Sequence, residues 1–399
     1  MRKKRFSALA LAALSTFSFA IGICLSAYAI VIRYGGPDAF PYTTKFASVL
    51  TSLEKNYIGQ TDMEEVSDAA YTAMVAAIND RWSYYMTAQE YEEYLQYQKN
   101  NYNGIGVTIE KDEESSYLRV ISVSEDSPAQ RAGVKARDLM IKIDGVDLKG
   151  MEAGQVRELI AQKSGEDFTL SLKFENESER SITISAQPIF SNPVQYELLD
   201  SGIGYVKIKN FEGECADRSI AAVDELIALG AKGIVFDVRN NPGGLLNELV
   251  KILDYLLPEG TVFISRDKDG NESLKTSDAA FIDLPFAVLI NENSYSAAEF
   301  FAAALSEYER ADIVGEQTTG KSRSQINIVL SDGSAVHLSV NSYLTPKGID
   351  LAEVGGLSPD IQIEMPDELW ADLMAGTLPY EEDVQLAAAI KQLSGSADK

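Results

Sequence analysis

Residues 233–244 read Gly-Ile-Val-Phe-Asp-Val-Arg-Asn-Asn-Pro-Gly-Gly, and this stretch decides the fold of the second half of the chain. Residues 233–238 form a nearly continuous apolar run, which is typical of a strand buried on both faces of a sheet. A polar turn with a Gly-Gly pair follows, and then a helical pattern at 245–257. A buried strand that leads through a turn into a helix indicates a layered α/β domain.

The surrounding sequence repeats this alternation. Further strands are predicted at 204–208 and 286–290 and further helices at 218–229 and 297–310. A β-type pattern returns at 326–340, and a last helix is predicted at 381–393.

Two segments with different sequence patterns precede this domain. Residues 40–100 contain almost no Gly or Pro and follow a helical period, with a tyrosine-rich stretch that is either packed or a binding surface. From Asn103, short apolar runs separated by turns predict strands at 105–109, 118–123, 139–143 and 168–174 and a helix at 153–163. This unit of roughly 85 residues has the size of one binding module.

The N-terminus carries a membrane-targeting pattern. The only charges in the first 33 residues are five basic ones, at positions 2–5 and 33, and they flank 27 uncharged, mostly apolar residues. Such a run can span a bilayer with the basic end in the cytoplasm, so we expect an uncleaved single-pass anchor and an extracytoplasmic body. A cleaved signal peptide is the alternative, because Ala27-Tyr28-Ala29 has the form of a cleavage site; the protein would then be secreted.

Composition excludes several functions. The formal charge is −25, from 35 basic and 60 acidic residues, which argues against a nucleic-acid-binding protein. The single histidine cannot build a multi-histidine metal site and leaves little room for histidine-based catalysis, so we expect no metal and no cofactor. Hydrolytic chemistry would need another base.

Three loops could carry chemistry. Ser296 lies where a predicted strand turns into a helix, and it is either a helix cap or a nucleophile beside free N–H groups. The Gly243-Gly244 pair reaches the same edge of the sheet and is either a plain turn or a donor of an unhindered N–H. Lys321 follows Gly320 in a loop that resembles a phosphate-binding motif, but a β segment rather than a helix comes next, so nucleotide binding is disfavoured.

Together these loops resemble the carboxyl-terminal processing peptidases, or tail-specific proteases, which use a Ser-Lys pair. The family's Asp-Leu-Arg-Asn-Asn-Pro-Gly-Gly motif is similar to residues 237–244, with Val238 in place of leucine. Its motif around the serine is similar to 294–299, and its Gly-Lys loop is similar to 320–325. Similar runs follow at 330–334, 343–346 and 358–361, so the resemblance spans about residues 50–395.

The resemblance implies roles for individual residues. Ser296 matches the nucleophile, Lys321 the general base and Gln325 the residue that orients the lysine. The N–H groups of Gly243 and Ala297 match the oxyanion hole. A lysine is a base only when neutral, so burial must lower its pKa from about 10.4.

The chain departs from the family pattern near the site. Tyr295 and Ala298 stand where the family usually has alanine and serine, and Ser-Arg-Ser follows the lysine at 322–324. These departures concern the shape of the pocket more than the chemistry.

Residues 103–187 resemble a PDZ domain. Gly104, Ile105, Gly106 and Val107 are similar to its carboxylate-binding loop, whose N–H groups take the C-terminus of a peptide that adds to the sheet as a strand.

The sequence predicts an α+β multidomain protein. Its predicted parts are a leader and anchor (1–33), a helical region (40–102), a β-sandwich-like PDZ domain with helices (103–187), an α/β layered protease core (188–365) and a C-terminal helical segment (366–399). The predicted function is an exported serine endopeptidase that binds protein C-termini. A catalytically silent PDZ scaffold is the alternative. Gating of activity by the PDZ domain and a homodimer are further hypotheses.

Overall fold

The computed structural model describes residues 8–112, 114–124, 126–163, 165–174, 178–375 and 377–396. The chain folds as two compact units, Met1–Arg81 and Trp82–Lys399. The division at Arg81 falls inside the predicted helical region 40–102. The predicted domain bounds stay predictions.

The first unit is helical. Its helices are α1 (Ala8–Arg33), α2 (Gly36–Asn56) and α3 (Met63–Ala76). Within α1, Ser15–Arg33 is long and apolar enough to cross a membrane, with a mean hydropathy of 1.9, and an N-terminal signal sequence has the same properties. Helix α3 begins at Asp62, whose side chain accepts the N–H groups of Glu64 and Glu65 and so caps the helix.

The second unit holds the remaining elements. In chain order they are β1 (Tyr84–Met86), α4 (Ala88–Tyr97), β2 (Asn101–Gly104), β3 (Val107–Lys111), β4 (Leu118–Val123), α5 (Pro128–Arg131), β5 (Asp138–Ile143), β6 (Val146–Asp147), α6 (Ala153–Ala161), β7 (Asp167–Phe174), β8 (Arg180–Ser185), β9 (Gln187–Phe190), β10 (Val194–Leu198), β11 (Gly204–Ile208), α7 (Cys215–Ala228), β12 (Ile234–Asp237), α8 (Leu246–Leu256), β13 (Gly260–Asp267), β14 (Glu272–Ser277), β15 (Phe286–Ile290), α9 (Ala297–Glu307), β16 (Ala311–Gly315), β17 (Arg323–Val329), β18 (Ala335–Leu344), α10 (Leu351–Val354), β19 (Ile361–Gln362), α11 (Asp367–Ala375) and α12 (Val384–Ser396).

The predicted layered sheet has the order β10-β11-β12-β15-β16-β19, and its strands are parallel except for β10. Alternate residues of each strand face opposite sides. Phe236 packs with α7, α8 and α9 on one side, and Val235 packs with α12 on the other. The strands β11, β12 and β15 are buried on both faces, which explains their continuous apolar sequence.

A second sheet has the order β1-β18-β13-β14, with β17 paired to β18. Strand β1 lies within the region predicted to be helical. It has three residues and pairs antiparallel with β18, with Tyr84 opposite His337. A segment this short has no periodicity of its own, and its distant partner strand determines its conformation.

The region resembling a PDZ domain contains the antiparallel sheet β3-β4-β5-β7-β8, with β6 paired to β5. Helix α6 contributes Val156 and Ile160 to its core, which includes the fully buried Leu118 and Met140. Strand β3 pairs with β4 and is therefore an edge of the sheet. Separately, β2 pairs with β9.

Candidate active site

Ser296 has a strained backbone. Its φ of 57° and ψ of −123° lie in a region that non-glycine residues rarely adopt, and such strain concentrates at functional sites. The residue lies between the end of β15 and the start of α9, where helical N–H groups have no partner within the helix. With 8% of its surface exposed, Ser296 is almost buried.

Glu299 fastens the serine loop to the lysine loop. Its carboxylate accepts the backbone N–H groups of Ser296 at 2.8 Å, Gly320 at 2.7 Å and Lys321 at 2.8 Å, and the Thr318 hydroxyl as a fourth donor. The side chain is fully buried. Burial raises the pKa of Glu299, and these four hydrogen bonds oppose the rise. Four donors at one carboxylate hold both predicted catalytic residues in a fixed relation.

The serine loop is also tied to the Gly-Gly loop. The Asn291 side chain exchanges hydrogen bonds with Asn240, and the Ser294 hydroxyl donates to the Val238 carbonyl at 2.8 Å. The Tyr295 N–H donates to the Asn241 carbonyl at 3.1 Å. Strands β12 and β15 are parallel, and the two loops that follow them therefore meet at one edge of the sheet.

Gly243 lies directly against the nucleophile loop. A Cβ atom added there would lie 2.8 Å from the Cβ of Ser296 and 2.9 Å from the nitrogen of Ala297, and its φ of +89° favours glycine. The Gly243 N–H donates to Asn241 Oδ1 at 2.8 Å. The Ala297 N–H has no hydrogen-bond acceptor within the described part of the chain. The oxyanion role of this pair stays a prediction, and Gly243 would have to redirect its N–H.

A buried network of ion pairs lies at the start of the Gly-Gly loop. Arg239 is 2% exposed and its guanidinium contacts Asp237 at 2.8 Å and Asp383 at 2.6 Å. Burial disfavours the ionised form of Asp237, but Arg239 and Lys207 hold the pKa of Asp237 well below its ordinary value. Asp383 is next to α12, so the C-terminal segment contributes to the position of this loop.

Lys321 has an aromatic environment. Its Nζ lies 4.3 Å from the ring centre of Trp82 and 5.7 Å from that of Tyr295. Gln325, in β17, uses its amide nitrogen to donate to the Arg323 carbonyl and the Ser339 hydroxyl, both at 3.0 Å. The predicted role of Gln325 in orienting the lysine therefore depends on its carboxamide oxygen and stays a prediction.

A buried acidic residue outside the recognised motifs, Glu212, lies near Lys321. Glu212, in the loop between β11 and α7, is 6% exposed, and its Oε2 has no hydrogen-bond partner among the described residues. Burial raises the pKa of Glu212 to about 7, with a further increase from Glu248 and an opposing effect of Lys321. Its neighbour Phe211 pairs with Gly244, so Glu212 flanks the Gly-Gly loop.

The predicted carboxylate-binding residues line a groove of about 900 Å³. Its walls are α4, α6 and the segment from β2 to β3, which includes Gly104 to Val107. The carbonyls of Ile105 and Gly106 accept hydrogen bonds from Ala129 and Ser124. Gly106 has a φ of +81°, and a Cβ atom there would lie 2.2 Å from the Cβ of Ser127, so glycine is required. The groove runs beside the edge strand β3, where a peptide can add to the sheet.

Comparison with known proteins identifies the family. The profile of peptidase family S41 matches residues 202–363, and a PDZ-domain profile matches residues 119–173. The carboxy-terminal processing protease CtpA of Bacillus subtilis is 30% identical over 325 residues, which cover 81% of this chain and 69% of that protein. The chain belongs to peptidase family S41.

Two further relatives of this S41 chain agree. A CtpA-like serine protease of Staphylococcus epidermidis is 31% identical over 326 residues, which cover 81% of this chain and 65% of that protein. The solved structure of a photosystem II D1 C-terminal processing protease matches with a TM-score of 0.51 and 26% identity, over 91% of this chain and 97% of that one. The resemblance inferred from the motifs is thus confirmed, as is a mixed α/β multidomain architecture with PDZ and S41 parts.

Several residues of this S41 site could not be assigned from the motifs alone. Glu299 is the last residue of the serine motif, and its spacing of three from Ser296 is that of a capping box. Trp82 carries no local signal, because it is about 240 positions from the lysine that it contacts. Asp383 and Glu212 likewise carry no local sequence signal, because only the tertiary fold brings them to the loops of the site.

Proposed function

We propose that this protein is a serine endopeptidase that cleaves near the C-termini of protein substrates with Ser296 as nucleophile and Lys321 as general base. The observation that carries the proposal is the Glu299 carboxylate, which binds the backbone N–H groups of both residues. The strained conformation of Ser296 and membership of family S41 support it independently.

The proposed reaction needs no group beyond this chain and water. Neutral Lys321 takes the Ser296 hydroxyl proton as the oxygen attacks the scissile carbonyl. The Ala297 N–H stabilises the resulting oxyanion, together with the Gly243 N–H once this group turns away from Asn241 Oδ1. The lysine ammonium then protonates the leaving amine, and water hydrolyses the acyl-enzyme. Gln325 orients the lysine.

Substrate selection is assigned to the groove at Gly104 to Val107. The backbone N–H groups of this loop bind a terminal carboxylate, and the peptide extends the sheet beside β3. Such recognition uses the chain end rather than a long side-chain code, which suits an enzyme that shortens C-termini.

We also propose that the catalytic unit is extracytoplasmic. The support is the apolar segment Ser15–Arg33 and the basic residues at positions 2–5. The anchor would hold the enzyme on the membrane; cleavage after Ala29 would instead release it.

The test is cleavage of an unfolded reporter protein with an apolar C-terminus. Ser296→Ala and Lys321→Ala are each expected to reduce kcat/KM by at least about 1000-fold while the unfolding midpoint stays near that of the wild type. Ser273→Ala and Lys275→Ala, both on the exposed strand β14, are the matched controls and should keep full activity. Full activity in both site variants would contradict the proposal, and binding without turnover by the wild type would favour the scaffold instead.

A further inference from the structure

Two aromatic rings enclose the proposed catalytic lysine. The Trp82 and Tyr295 rings lie 5.7 Å apart with planes inclined by 31°, and Lys321 Nζ is within cation–π distance of both, at 4.3 and 5.7 Å. Tyr295 stands where the family usually has alanine, so its ring is a departure from the usual family pattern.

Both rings are attached to ordered backbone. Trp82 precedes Ser83, whose hydroxyl accepts the Ser339 N–H, and β1 then pairs with β18. Tyr295 is held by its N–H bond to Asn241 and is covalently next to Ser296. The rings are therefore positioned by the same sheets and loops that form the site.

A ring face attracts an ammonium group and has no comparable attraction for a neutral amine. The proposed mechanism requires the neutral amine. We propose that Trp82 and Tyr295 are positioning residues that hold Lys321 as an ammonium in the free enzyme and thereby set the pH at which the protease becomes active. This inference rests on the proposed Ser-Lys function.

The other charged and titratable groups near this pair come from several elements. They are Glu212 from the β11–α7 loop, Tyr84 from β1, Tyr97 from α4 and Glu299 from α9. Ionised Glu212 also favours the ammonium form. The effect of Glu212 on the protonation of Lys321 changes near pH 7, where Glu212 itself ionises. The effect of the two rings on that protonation does not depend on pH. The two contributions can therefore be separated by comparing Glu212→Gln with the ring variants.

The experiment is the pH profile of kcat/KM for a short peptide, with Trp82→Leu and Trp82→Phe compared. Leucine removes the ring face but keeps an apolar side chain, so the midpoint of the acidic limb should move to lower pH by about 0.5 to 1 unit. Phenylalanine retains a ring and should move it less. Trp370→Leu, at the other tryptophan of the chain, is the matched control and should leave the midpoint unchanged.

A second pair keeps the test decisive if Trp82→Leu does not fold. Tyr295→Leu should shift the limb in the same direction, and Tyr295→Phe should shift it little. A uniform loss of activity without a shift, or a shift to higher pH, would overturn the proposed role of the rings.

A readout without activity separates this proposal from the function on which it rests. In the Ser296→Ala background, the labelling rate of Lys321 by an amine-reactive reagent is followed by mass spectrometry across pH. Trp82→Leu should move the onset of labelling to lower pH, by the same amount as the activity limb. An unchanged onset of labelling would reject the proposed role of the two rings. Retained proteolysis in Lys321→Ala would instead reject the Ser-Lys mechanism itself.

Discussion

Glu299 shows how one side chain can organise a site without reacting. Its two carboxylate oxygens connect the backbone of the nucleophile loop to the backbone of the lysine loop. Each loop belongs to a separate strand connection, and Thr319 adds two hydrogen bonds between them, from its N–H to the Ser294 carbonyl and from its hydroxyl to the Glu292 carbonyl.

Glu299→Gln is expected to reduce kcat/KM by about 100-fold or more, because an amide NH₂ must face at least one backbone N–H and displaces a loop. Unfolding in urea should show a loss of about 1–3 kcal/mol. Glu292→Gln is the matched control, since Glu292 lies in the same loop with an exposed side chain. Near-normal activity in Glu299→Gln would show that the bridge is not needed.

Glu212 makes a prediction about stability and pH. Its pKa is about 7 in the folded protein against 4.5 ordinarily, so the folded state binds this proton more tightly. The unfolded state releases the proton first, and the contribution of Glu212 to stability therefore falls as pH rises from about 4.5 to 7. The free energy of unfolding of Glu212→Gln, taken relative to that of the wild type, should therefore increase by about 1–3 kcal/mol as the pH is raised from 4.5 to 8. Chemical denaturation at both pH values measures this, and a difference that is constant with pH would contradict it.

At the scale of elements, α4 borders two regions of the molecule. It forms a wall of the groove that contains Gly104 to Val107, and its Tyr97 interacts electrostatically with Glu212 and Tyr295. The Asn100 side chain, just after α4, donates to the Gly213 carbonyl at 2.8 Å and accepts from Asn210 at 2.8 Å. The helix that lines the proposed peptide groove is thus connected to the loop beside the Gly-Gly pair, and gating by the PDZ domain stays a testable prediction.

The groove predicts a dependence on the terminal carboxylate. A peptide with a C-terminal amide should bind about 10- to 100-fold more weakly than the same peptide with a free carboxylate, because charge-assisted hydrogen bonds to the loop are lost. Titration of Ser296→Ala by fluorescence anisotropy measures the two affinities. Gly106→Ala should weaken binding of the free acid, while Gly154→Ala in α6, where a Cβ atom meets no neighbour, should not. Equal affinity for acid and amide would contradict this assignment of the groove.

At the scale of the whole molecule, the charge is divided between two parts. The five basic residues at the N-terminus leave 30 basic and 60 acidic residues in positions 34–399, a formal charge of −30. A body with this charge is repelled by anionic lipid, so the proposed attachment to a membrane depends on the apolar segment.

Removal of residues 1–33 should therefore transfer the protein from the membrane pellet to the soluble fraction and leave peptide cleavage unchanged. Full-length Ser296→Ala, which cannot process itself, should resist extraction by alkaline carbonate. Release by carbonate with an N-terminus after Ala29 would show that the leader is cleaved instead.

The repeating elements could be predicted because their signals are local. The strands Leu118–Val123, Gly204–Ile208 and Phe286–Ile290 match the predicted ranges to the residue, since each is an apolar run bounded by turns. Strand β1 could not be predicted, because its conformation is determined by β18 about 250 positions away. The candidate site divides similarly: Ser296 and Lys321 lie in recognisable motifs, whereas Trp82 and Asp383 reach them only through the fold.

The buried Arg239 network has a consequence for the lifetime of the enzyme. The arginine beneath the Gly-Gly loop is bound by Asp383, which directly precedes α12. Truncation before Asp383 would remove one of the two carboxylates that bind this buried guanidinium, and it would also remove the buried Leu386 and Ala389 of α12 from the sheet. If the peptidase shortened its own chain to that point, the Gly-Gly loop would lose this support and the activity would stop, so such a reaction would limit itself.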